Sequence, residues 1–203
     1  EASSCWFPTI DAPNQRTSQE LYITVPNKYV TLSNGELVSQ TPVGENHTDY
    51  WKLDQKHAPY LFFMGVGEYE IIKDQYKNIP VHYYVEKKYA PFAKEVFGDT
   101  PEMIGFFAEK LGVEYPWNKY HQIVARDYVS GAMENTTAVI HGEQANQMKG
   151  QLIDENRQEN TIAHEIFHHW FGNLVTSESW SNLALNESFA SYSEYLWREY
   201  KYG

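Results

Sequence analysis

Cysteine is almost missing from this chain. Cys5 stands alone among 203 residues, so no internal disulfide can form and the redox compartment stays open. Basic residues are also few. Sixteen Lys and Arg face 27 Asp and Glu, a formal net charge of −11, which disfavours nucleic acid and anionic membrane surfaces as partners. No apolar run approaches the ~18 residues of a transmembrane helix, so no membrane-spanning segment is expected. No signal peptide opens the chain, and no internal repeat or low-complexity segment is visible. The abrupt start at Glu1 and the stop at Gly203, straight after a helical pattern, suggest a piece of something longer, which leaves localisation unreadable. The rest of the composition is that of a globular protein with a real core: 42% hydrophobic, 21% charged and rich in aromatics, with 16 Tyr, 10 Phe and 6 Trp.

Residues 1 to about 72 read as β structure. Leu21, Ile23 and Val25 alternate with Tyr22 and Thr24, the period of a strand with one buried face. Pro26-Asn27 ends it, and Ser33-Asn34-Gly35 reads as a hairpin-type turn into Glu36-Leu37-Val38. Thr41 to Asp49, polar with Pro and Gly, reads as a loop. Lys73 to Asn78, polar and charged, is the expected domain boundary. Beyond it, Pro80–Val85, Tyr120–Ala125 and Thr137–Ile140 read as strands, and Pro91–Phe97 as a helix. Thr100-Pro101-Glu102 reads as the start of another helix, with Thr100 as its cap and Gly112 as its stop. Two long helices follow, over about 156–171 and 185–200. The chain is therefore α+β, divided as 1–75 and 76–203.

The chemistry concentrates in the first of those last helices. His164 and His168 stand four apart, which on a helix puts both rings on one face. Two imidazoles so placed can each offer a nitrogen to one Zn²⁺ at ~2.0–2.1 Å. Glu165 completes H-E-x-x-H, the motif in which this carboxylate is the general base. A third ligand is needed, and Glu187, after eighteen intervening residues, is the obvious candidate. Three protein ligands leave the fourth position for water, the mark of a catalytic zinc site. One Zn²⁺ per chain is expected. For either histidine taken alone, burial with a hydrogen bond would be the default. His169, five residues after His164, turns off the metal face and reads as packing or a support. His47, His57, His82, His121 and His141 have no spacing partner and read as ordinary.

A further pentapeptide, Gly131-Ala132-Met133-Glu134-Asn135, stands upstream. With G-x-M-E-N, then H-E-x-x-H, eighteen residues and E in that order, the chain resembles the M1, or aminopeptidase N, family of zinc metallopeptidases, which includes leukotriene A4 hydrolase. The resemblance implies the end of an N-terminal β domain followed by the first part of a thermolysin-like, gluzincin catalytic domain. Trp6–Pro13 and Gly65–Tyr69 look like the end of that β domain. The resemblance further implies that 131–135 is an edge strand that pairs with the substrate backbone, and that Glu134 binds the free α-amino group of a peptide. A carboxylate fixed there would pair with an ammonium and admit only the first residue. Gly131 would let a peptide backbone come close. The expected activity is removal of N-terminal residues, with Glu165 passing a proton from water to the leaving amine. The expected partners are peptides with a free N-terminus.

The chain departs from the family at Ser188, where Gly is commoner. The family's oxyanion tyrosine would fall beyond Gly203, implying that the chain alone is weak or inactive, since losing an oxyanion donor costs ~10²–10³ in rate. Asn186 and Thr176 are candidate supports for the ligands or for Glu165. Asn135-Thr-Thr137 and Asn186-Glu-Ser188 match the glycosylation pattern but would lie in the site, where a glycan could not fit. Two rivals remain: a thermolysin-type endopeptidase, which Glu134 argues against, and a non-catalytic peptide-binding module, which the intact Glu165 and ligand set argue against.

Overall fold

The computed structural model describes residues 3–153 and 155–203. Its elements confirm an α+β chain. The first part is all β: β1 (Thr17–Pro26), β2 (Val30–Ser33), β3 (Glu36–Val43), β4 (Asn46–His57) and β5 (Met64–Gly67). Strands β1, β4 and β3 form an antiparallel three-stranded sheet, and β2 pairs antiparallel with β5. A mixed five-stranded sheet follows, in the order β6 (Glu70–Tyr76), β7 (Ile79–Val85), β8 (Tyr120–Ala125), β10 (Ala138–Gly142), β9 (Ala132–Met133). Helices α1 (Ala93–Phe97), α2 (Thr100–Leu111), α3 (Glu159–Phe167) and α4 (Ala184–Tyr202) complete it.

The sheet's two faces explain why the β part and the helices hold together. Val81, Tyr83 and Val85 of β7, with Tyr120 and Val124 of β8, join a core with Phe107, Ile162, Ile166 and Trp197 on the helical side. The alternate residues Tyr84 and Ile123 join a second core with Ile23, Leu32, Trp51 and Phe63. The period of two thus buries both faces of the sheet, each against a different partner.

Four local expectations need correction. Lys73–Asn78 is not a boundary stretch: Lys73–Tyr76 lie in β6, paired with β7 around a two-residue turn at Lys77-Asn78. Its polarity reflects a strand at the edge of the sheet. Thr41–Asp49 is not a loop but the β3–β4 hairpin, turning at Gly44-Glu45. Every residue of β3 is exposed, so no apolar alternation marks it. Ser33-Asn34-Gly35 does not close a hairpin, because β2 and β3 belong to different sheets. Asn34 is instead a buried clip: its amide donates to the carbonyls of Leu61 (2.9 Å) and Thr136 (2.7 Å) and accepts from the Phe63 N–H (2.7 Å). Gly35 beside it has φ +75, and a Cβ there would lie 1.9 Å from the Lys52 carbonyl oxygen. Finally, the residue before α2 is Asp99 rather than Thr100, whose hydroxyl accepts from Gln122 (2.9 Å).

Candidate metal centre and substrate cleft

Helix α3 ends at Phe167, earlier than the periodicity predicts, and His168 caps it while still in right-handed helical geometry. The four-residue spacing therefore holds, and the His164 and His168 rings lie 4.7 Å apart. Glu187 comes from the first turn of α4, the helix packed most closely on α3. Its Oε2 lies 3.4 Å from His164 Nε2 and 3.7 Å from His168 Nε2. Ligands on a tetrahedral ion at ~2.0–2.1 Å sit about 3.3 Å apart. The two imidazole nitrogens and the carboxylate oxygen, all within 4.8 Å of one another, thus fit one small divalent cation.

The outer nitrogens are already committed. His164 Nδ1 lies 2.9 Å from Glu194 Oε1, and His168 Nδ1 lies 3.0 Å from the Phe171 carbonyl oxygen. With Nδ1 of each ring carrying the proton donated to these acceptors, Nε2 is left as a lone pair directed at the common point. Glu194 was not foreseen from the sequence. It follows Glu187 by seven residues, two helical turns along the same face, which is the signal that could have found it.

Glu165 is buried, 5% exposed, and its Oε2 has no protein partner among the described residues. It forms a second group with Glu134 and His168, whose ligand atoms also lie within 4.8 Å of one another. Burial foremost, then the nearby charges of Glu134, Glu187 and Glu194, push its pKa well above the usual carboxylate range.

Glu134 follows directly on β9, an edge strand that among the described residues pairs only with β10. Gly131 and Ala132-Met133 are exposed or half-buried, whereas Glu134 and Asn135 are buried. Asn173 donates to the Glu134 carbonyl (2.9 Å) and Asn135 to the Phe62 carbonyl (3.3 Å). Gly131 is open to solvent: a Cβ there would meet only the Gln144 side chain, at 3.8 Å.

His169 is fully buried away from the metal ligands, its Nε2 accepting from the Thr137 N–H (3.1 Å) and its Nδ1 3.1 Å from the Glu165 carbonyl oxygen. It therefore ties the stretch just after the pentapeptide to α3. Asn186 accepts from Ser177 Oγ (2.7 Å) and donates to the Tyr60 hydroxyl (3.2 Å). Thr176 bonds locally, to the Asn173 carbonyl (3.3 Å). Asn135 and Asn186 are both buried, in keeping with discounting them as glycan acceptors. Tyr60 was also not foreseen, since it arrives from the β part, 126 residues before Asn186.

Comparison with known proteins adds a family. Residues 96–203 match the family model described as the peptidase family M1 domain. The chain is 30% identical over 200 residues to Aminopeptidase M1-B of Oryza sativa subsp. japonica, covering 97% of this chain and 23% of that protein. It is 30% identical over 208 residues to Aminopeptidase N of Rattus norvegicus, covering 96% and 21%. It is 31% identical over 192 residues to the Tricorn protease-interacting factor F2 of Thermoplasma acidophilum, covering 93% and 24%. The chain thus spans between a fifth and a quarter of the length of these relatives.

Proposed function

Because the chain belongs to the peptidase M1 family, we propose that it carries the zinc site and amino-group site of an aminopeptidase. The carrying observation is the convergence of His164 Nε2, His168 Nε2 and Glu187 Oε2 on one point. These three residues would hold one Zn²⁺. When bound, zinc supplies Lewis-acid activation of water and polarises the scissile carbonyl.

The chain's own residues do the rest. Glu165, beside His168 but outside the ligand triad, takes the proton from the attacking water and gives it to the leaving amine. Glu134 pairs with the substrate's ammonium, which limits cleavage to the first peptide bond. The free edge of β9 aligns the peptide backbone, and Gly131 leaves it room. Names of the relatives, two of them aminopeptidases, support the same reading. Peptides with a free N-terminus are the proposed substrates.

The architecture supports reading residues up to β5 as the end of a β domain and those from β6 as the start of a thermolysin-like, gluzincin domain. The changeover then falls between Gly67 and Glu70, where the sheet partner changes, rather than near residue 75.

The test is kcat/KM on matched peptides with free and N-acetylated amines, using the full-length zinc-loaded protein. A charge-assisted contact worth ~1.5–3 kcal/mol predicts roughly tenfold to hundredfold preference for the free amine. Glu134→Ala should narrow that gap. Internal cleavage of the acetylated peptide as fast as the free one would replace the aminopeptidase by the endopeptidase.

A further inference from the structure

Asn173 lies in the loop that leaves α3 and is fully buried. That loop folds back on the metal ligand His168. The Asn173 N–H donates to the His168 carbonyl (2.9 Å), and His168 Nδ1 meets the Phe171 carbonyl (3.0 Å). Gly172 makes the turn possible: its φ is +133, and a Cβ there would stand 3.1 Å from His168 Nδ1. Arg16, just before β1, holds the far side, donating to the carbonyls of Asn173 (3.2 Å), Leu174 (2.7 Å) and Lys56 (2.7 Å). The backbone of Asn173 is thus fixed relative to His168 without help from its side chain.

The side chain reaches the other half of the site. Its Nδ2 donates to the Glu134 carbonyl at 2.9 Å, in a buried hydrogen bond. Only the amide nitrogen can donate to a carbonyl oxygen, so the orientation of the group is set. Among the described residues its Oδ1 has no protein partner, so the polar tie of this side chain runs to Glu134. For stability alone such an amide is a poor choice, since an apolar side chain of the same shape leaves no buried acceptor unpaired. Glu134 has use for the anchor, because it lies just past β9, whose register with β10 ends at Met133. Its carboxylate stands in one group with that of Glu165 and a ring nitrogen of His168, all within 4.8 Å. His168, Asn173 and Glu134 therefore close a ring beside the metal ligands.

We propose that Asn173 is a positioning residue for Glu134: bonded to the His168 carbonyl through its backbone and to the Glu134 carbonyl through its side chain, it sets the distance between the amino-group site and the metal ligands. That distance has to match the span from a peptide's ammonium to its first carbonyl. The inference rests on the amino-group role given to Glu134 above.

Asn173→Leu keeps the branched shape without the N–H, and Asn173→Ala removes the side chain. Both leave the backbone bond to His168. In the full-length zinc-loaded protein, kcat/KM for a free peptide should fall roughly threefold to tenfold in either variant, as expected for one lost hydrogen bond. Zinc content and kcat/KM for the matched N-acetylated peptide should hold. The ratio between the two peptides does not depend on how much of a variant folds, so lost stability alone cannot narrow it. In zinc-free protein, the Kd of alanyl-alaninamide measured by calorimetry should rise by the same factor. In a Glu134→Ala background neither substitution should narrow the ratio further. An unchanged ratio or Kd in the Leu variant, an equal fall for both peptides, or full additivity with Glu134→Ala would overturn the role of Asn173. A wild type with no preference for the free amine would instead remove the amino-group role of Glu134, and the inference with it.

Discussion

His164 Nδ1 lies 2.9 Å from Glu194 Oε1, so the first histidine of the motif is oriented by a carboxylate seven residues beyond Glu187 on the facing helix. Such a partner fixes the ring and its tautomer and makes Nε2 a better donor. Glu194→Ala should therefore weaken zinc binding ~10–100-fold while leaving the ligand triad in place. Competition against a chromophoric chelator measures this, and an unchanged affinity would show that Glu194 does not orient His164.

Glu165 stands beside the triad rather than in it. Glu165→Gln should keep zinc at the wild-type level and lose ~10²–10⁴-fold in kcat, the usual cost of removing a general base. Near-normal turnover in the Gln variant would mean that another group handles the proton.

His57 gives a pH prediction remote from the metal centre. It is fully buried, stacked on Phe62 at 4.8 Å, with neither ring nitrogen bonded to protein among the described residues. Burial foremost, then the positive charge of Arg16, lowers its pKa to about 3. Above the ordinary histidine value of ~6.5 both folded and unfolded chains hold it neutral, and its contribution is fully present. As pH falls from ~6.5 towards 3 the unfolded chain takes a proton the folded one refuses. Stability then drops by up to ~1.4 kcal/mol per pH unit. His57→Phe should abolish that component, so urea midpoints of variant and wild type should diverge as the pH is lowered. Parallel curves would mean that His57 does not titrate on unfolding.

Asn34 joins the Tyr60 turn to the segment after Glu134 through three buried hydrogen bonds. Asn34→Ala leaves three buried backbone groups to find other partners, and should cost roughly 2–5 kcal/mol. A urea midpoint within error of wild type would show that the segment is held in other ways.

What could be read from the sequence follows the range of each interaction. The H-E-x-x-H helix was legible because its signal is local: four residues fix the face. Strands β7 and β8 were legible for the same reason, as short runs rich in apolar and aromatic residues, because both of their faces are buried. The end of β3 was read as loop since all its residues face solvent, and the end of β6 was read as a boundary because polarity marks an edge strand as readily as a linker. Glu194 and Tyr60 were missed for different reasons. Glu194 needed the pairing of α3 with α4, and Tyr60 needed the packing of a β turn 126 residues away from Asn186, which no periodicity encodes.

The proposed chemistry depends on a single three-residue metal site. Elemental analysis of protein purified without added metal should find about one zinc per chain in wild type, and far less in His164→Ala, His168→Ala and Glu187→Ala. Glu165→Gln and Glu134→Ala should match wild type. Equal zinc in wild type and the three ligand variants, or zinc lost from the Glu165 variant alone, would contradict it.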